Sequence, residues 1–112
     1  MADQRNSTAG PQVELTMVTM TFDTTDPISL QAALARYVVV SRGHPGCRNI
    51  DLAFSTTRPN RFVIVQKWAS PEDQQAHFDS ADMVTMAEAC TGLLTSPPQI
   101  DLLEPISAHD LN

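Results

Sequence analysis

The chain has 112 residues, the size of a single domain. Its apolar fraction of 42% and charged fraction of 18% are globular values and exclude a disordered chain. With a net charge of −6, a pI of about 4.7 and seven scattered Lys and Arg, it lacks the basic cluster that nucleic acid or an anionic membrane requires.

Residues 1–12 read as a flexible polar tail closed by Gly10-Pro11, with no apolar stretch of the secretory kind. Val13–Phe22 alternates as a strand. Its phase changes at Met17-Val18, which implies either a bulge or burial of both faces. Asp26-Pro27 is a helix start, a capping carboxylate followed by proline at the first helical position. Leu30, Ala33, Leu34, Tyr37 and Val38 then form one buried stripe. Gly43 suits the end of that helix, and His44-Pro45-Gly46 forbids its continuation.

Cys47–Thr57 reads as a second strand with Ile50, Leu52 and Phe54 on one face. Arg58-Pro59-Asn60 turns it back into a third strand, Arg61–Ala69. Ser70-Pro71-Glu72-Asp73 resembles a capping box and opens a mostly polar helix to about Asp79. Ser80 is placed to restart it, since Met83, Met86, Ala87, Cys90, Leu93 and Leu94 make a second apolar stripe. Gly92 weakens the end of that helix, Pro97-Pro98 breaks it, and Gln99–Ile106 gives a fourth strand, at an edge of the sheet, before a tail at 107–112.

The order β-α-β-β-α-β is the ferredoxin-like α+β plan, an antiparallel sheet with helices on one face. Strands 1 and 3 carry apolar residues of both parities, so the second face needs a cover, and a second copy of the chain fits that need. Cys47 and Cys90 stand outside any CxxC and read as a reduced pair. No apolar run approaches the length of about 18 residues that a membrane span takes, and the expected location is the cytoplasm.

Three motifs in this order, Pro45-Gly46-Cys47, Gln66-Lys67-Trp68, and Ala76-His77 with Ser80 three residues on, resemble the antibiotic biosynthesis monooxygenase family over residues 13–106. The resemblance implies a homodimeric α+β barrel built from two ferredoxin-like sheets. It also implies one of several activities: cofactor-free oxygenation of polycyclic quinols by O₂, haem degradation, or roles in signal and quinone metabolism. Gln66 stands where the family usually has Glu. Ile64 stands where quinol-oxidising members have Asn, and the first strand lacks the Asn of haem-degrading members.

The catalytic candidates are His77 and Trp68. His77 is either a general base or a structural histidine, with Asp73 and Gln74 one turn earlier as its nearest helical neighbours. Trp68 is either a stacking wall for a planar substrate or a core indole. Gln66, Met17, Met83, Met86 and Phe78 are the candidate pocket residues, with Met20 a further member of a methionine set that either fills the core or lines an adaptable cavity. His44 reads as a surface residue in a turn and His109 as part of the tail. No metal cluster, phosphate loop or nucleophilic triad is evident, and no cofactor is expected. The leading reading is a cofactor-independent monooxygenase acting on a reduced aromatic, quinol or polyketide-like molecule. The alternative is a non-catalytic dimer that binds small molecules or serves as a stress or accessory protein, with haem binding third.

Overall fold

A computed structural model describes residues 15–108. The expected tail at 1–12, the first residues of the expected strand at Val13, and His109 lie outside them. The elements are β1 (Thr16–Asp23), α1 (Pro27–Ser41), β2 (Cys47–Phe54), β3 (Arg61–Trp68), α2 (Pro71–Phe78), α3 (Ala81–Ala89) and β4 (Gln99–Leu103). The strands form one antiparallel sheet in the order β2-β3-β1-β4, which is the ferredoxin-like α+β fold.

Capping chemistry sets the helix starts. Asp26 accepts the Ser29 N–H, Ser70 accepts the Asp73 N–H, and Ser80 accepts the Met83 N–H. Ser80 therefore divides the second helical segment into α2 and α3. The third helix ends at Ala89, earlier than the Leu93-Leu94 stripe suggests. Gly92 lies beyond it with φ of +81°, and Leu94 instead bridges to Thr24 at the end of β1. At the end of α1 the left-handed residue is Gly46, with φ of +79°, rather than Gly43. The second strand stops at Phe54 because the Ser55 hydroxyl takes the Thr57 and Arg58 N–H groups into the turn. The fourth strand stops at Leu103, two residues before Pro105, which has no N–H for a ladder.

The phase change at Met17-Val18 is not a bulge. Pairing of β1 with β3 runs without a break from Thr16 opposite Trp68 to Asp23 opposite Arg61, and the irregularity lies in β2 between Cys47 and Asn49. Val18, Met20, Phe22, Ile50, Phe62, Ile64, Gln66 and Trp68 are all buried, and they pack beneath Leu30, Leu34, Tyr37 and Val38 of α1 and Met86 of α3. The opposite face presents half-buried Met17, Val63 and Val65 interleaved with Thr19, Thr21 and Lys67. It is a mixed surface, less apolar than the sequence pattern suggests. No helix among the described residues is long and apolar enough to cross a membrane.

A buried hydrogen-bond chain beside an apolar cavity

Period-two alternation along β3 turns Gln66 and Trp68 to the helix-covered face together. There they meet Tyr37 from α1 and His77 from α2. Trp68 Nε1–H donates to Gln66 Oε1 at 2.8 Å, and Gln66 Nε2–H donates to Tyr37 Oη at 2.9 Å. Tyr37 Oη lies 2.7 Å from His77 Nε2, His77 Nδ1 lies 2.9 Å from His44 Nδ1, and His44 Nε2 lies 2.7 Å from Asp82 Oδ2.

The donors assign the protons along this series. Because Tyr37 Oη already accepts from Gln66, its own O–H is directed to His77 Nε2. That leaves the His77 proton on Nδ1, donated to His44 Nδ1, and the His44 proton on Nε2, donated to the Asp82 carboxylate. Every bond points the same way, from the indole in the core to a carboxylate that is 42% exposed. His77 is only 3% exposed and stacks on Trp68 with ring centroids 4.5 Å apart.

Electrostatics keeps the inner members neutral. Burial lowers the pKa of His77 from 6.5 to about 4, the His44 ring adds to the depression, and Asp82 opposes it in part. Burial also raises Tyr37 to about 12, against the hydrogen bond from Gln66. Burial raises both free cysteines, Cys47 and Cys90, so neither is an activated thiolate.

Gly46 carries the turn that holds His44, and a Cβ there would stand 2.3 Å from the Asp73 carboxyl group. Asp73 also accepts the Ser70 hydroxyl at 3.0 Å. The carboxylate one turn before His77 thus clasps the turn, and the carboxylate that orients the imidazoles is Asp82, through His44. The surface role expected of His44 is corrected accordingly.

An apolar, partly open cavity of about 490 Å³ lies between α3, β1 and β4. Its lining includes Met20, Phe22, Met83, Met86, Cys90, Leu94, Pro98 and Ile100. Met83 and Met86 line it. Met17 does not, because the register sends it to the opposite face beside Lys67 and Leu103. Phe78 does not either, since it ends α2 as a residue 39% exposed. Gln66, Trp68 and His77 stand behind the cavity rather than in its wall. Met20 belongs to both places: it lines the cavity, and its Sδ lies 3.3 Å from Gln66 Nε2 and 4.0 Å from Tyr37 Oη.

Sequence reasoning missed Tyr37 and His44 as members of the site. The available signal was that a tyrosine on a buried stripe needs a partner for its hydroxyl. Haem does not fit the described residues, since both ring nitrogens of His44 and of His77 are already engaged. No group of three or more metal-ligating side chains occurs among those residues.

The fold defines the chain as a small ferredoxin-like α+β protein. The family model of the antibiotic biosynthesis monooxygenases matches residues 17–89, and the chain belongs to that family. A comparison with curated proteins finds no match. Among solved structures, a Nitrosomonas europaea protein classed with these monooxygenases is similar at 17% identity and a TM-score of 0.78, over 88% of this chain and 96% of its own. A Mycobacterium tuberculosis protein is similar at 24% identity and 0.77, over 84% and 97%. A Caulobacter crescentus protein, also classed with the family, is similar at 16% identity and 0.76, over 84% and 92%.

Proposed function

We propose that the protein is a cofactor-independent monooxygenase for a reduced aromatic molecule of quinol or polyketide type, acting as a homodimer through the open face of its sheet. One observation carries this reading: a buried, hydrogen-bonded Tyr37–His77 pair stands behind the floor of an apolar cavity of about 490 Å³. Small-molecule sites have this composition, apolar walls with a few convergent polar groups. At the floor, Met20 Sδ holds the place that a polar substrate atom would take against Gln66 and Tyr37. A thioether is a weak acceptor on a chain with three rotatable bonds, so a substrate hydroxyl displaces it.

An anthrone-type substrate enters as its enol. The enol proton passes to Tyr37 Oη as the Tyr37 proton passes to His77 Nε2. The resulting enolate gives one electron to O₂, and the radical pair joins in a C–O bond. The peroxide then takes a proton back and loses water as the remaining C–H proton leaves. The sum is CH₂ + O₂ → C=O + H₂O, which balances because the substrate is its own reductant.

Two features favour a second reading, a non-catalytic module that binds small molecules. Met20 separates cavity from network, and both His77 nitrogens are occupied. Aerobic conversion of anthrone to anthraquinone by the purified protein, run beside a binding titration, decides between them. Oxidation that is lost in Tyr37→Phe and His77→Gln supports the enzyme, and binding without oxidation supports the module. Sizing in solution tests the dimer, which a monomer at working concentration contradicts.

A further inference from the structure

We propose that His44 and Asp82 are positioning residues that make the Tyr37–His77 pair the inner end of a proton conduit from the cavity floor to solvent. The inference rests on the monooxygenase reading only for the direction in which the proton first moves. His77 is too buried to trade protons with water itself, and its Nε2 faces Tyr37. A proton accepted at Nε2 must be matched by one leaving Nδ1, or a charged imidazolium is left in the core. Among the described residues the group bonded to that Nδ1 is His44 Nδ1, and His44 Nε2–H meets the half-exposed Asp82 carboxylate. One proton entering at Tyr37 Oη therefore releases one at Asp82, with no net charge retained between them. Run in reverse, the same path returns a proton to the peroxide.

Four separate segments supply the conduit from Tyr37 to Asp82: α1, the turn before β2, α2 and α3. Among the described residues the other titratable groups around the imidazoles are Cys47 beside Tyr37 and Asp73, whose carboxylate accepts the Ser70 hydroxyl and lies against the Gly46 turn.

The test is ¹⁵N NMR of the histidine rings with solvent-exchange measurements and steady-state anthrone oxidation, on the full chain, Asp82→Asn and His44→Phe. The expected tautomers in the native protein are Nδ1–H on His77 and Nε2–H on His44. Asp82→Asn still accepts from His44 but cannot take the proton. Its tautomers should persist, while exchange of the His77 ring proton and kcat each fall about 10²-fold with KM little changed. His44→Phe should give the same two losses. An Nε2–H tautomer on His77, or unaltered exchange in both variants, overturns the conduit. Slowed exchange in a protein that oxidises no anthrone supports the conduit and removes the monooxygenase reading.

Discussion

Acidification should weaken the fold through His77, and the size of the effect can be worked from its surroundings. In the unfolded chain its imidazole takes a proton near the ordinary value of 6.5, whereas in the fold burial and the His44 ring hold it to about 4. Between those values the unfolded state binds a proton that the native state refuses. The contribution of His77 to stability is therefore fully present above pH 6.5, shrinks as the pH falls, and is exhausted near pH 4. The gap corresponds to about 3 kcal/mol at most. Urea unfolding at fixed protein concentration, taken at steps between about pH 7 and pH 4.5, gives the slope. His77→Gln retains an acceptor for Tyr37 and should lack this share of the slope. Equal slopes in the two proteins, or a native His77 ring titrating near 6.5 by NMR, would refute the reasoning.

Gln66→Glu should reverse the inner bonds of the series, because a carboxylate accepts from both Trp68 and Tyr37, and His77 must then donate from Nε2 to Tyr37 Oη; ¹⁵N shifts read the change, and a retained Nδ1–H tautomer sinks the assignment. Met20→Leu removes the thioether acceptor at nearly constant volume, so it should cost less than about 1.5 kcal/mol in chemical denaturation. It should leave an unpaired Gln66 N–H that tightens binding of a hydroxylated polycycle relative to its deoxy analogue, and equal affinities would contradict that. Ala87→Phe fills the cavity from its exposed rim, and should abolish polycycle binding in a fluorescence titration while the melting temperature hardly moves. Leu34→Ala, at a fully buried position between α1 and the sheet, should destabilise by about 2–5 kcal/mol in the same unfolding assay.

Much of the fold is legible in the chain because its punctuation is local. Asp26-Pro27, Ser70-Pro71 and Ser80 cap helices within a few residues of themselves, and the alternation of β3 declares which side chains share a face. Gln66, Trp68 and His77 are recognisable for the same reason. Tyr37 is read as one more member of a stripe, since its hydroxyl finds its partners only when α1 crosses the sheet. His44 reads as surface because nothing in a His-Pro-Gly turn announces an imidazole on another segment. The orienting carboxylate is misplaced by helical spacing: Asp73 lies one turn before His77, yet the ring is served through His44 by Asp82, on the next helix. The face of Met17 follows from an unbroken β1–β3 register that a single strand cannot disclose.

The Asp73 side chain sits against the bare Cα of Gly46. Neither residue donates or accepts a bond in the hydrogen-bonded series, yet they meet beside the turn that carries His44, whose Nδ1 lies 2.9 Å from that of His77, and Ala69 N–H is fastened to the Gly46 carbonyl at 2.8 Å. The joint works as a mortise: a tongue of side chain seated in a notch that only a missing Cβ leaves open. A methyl group in the notch would lever His44 away from its neighbour and cut the path at its midpoint, with every titrating group still present. Damage at this turn would therefore masquerade as damage to the chemistry.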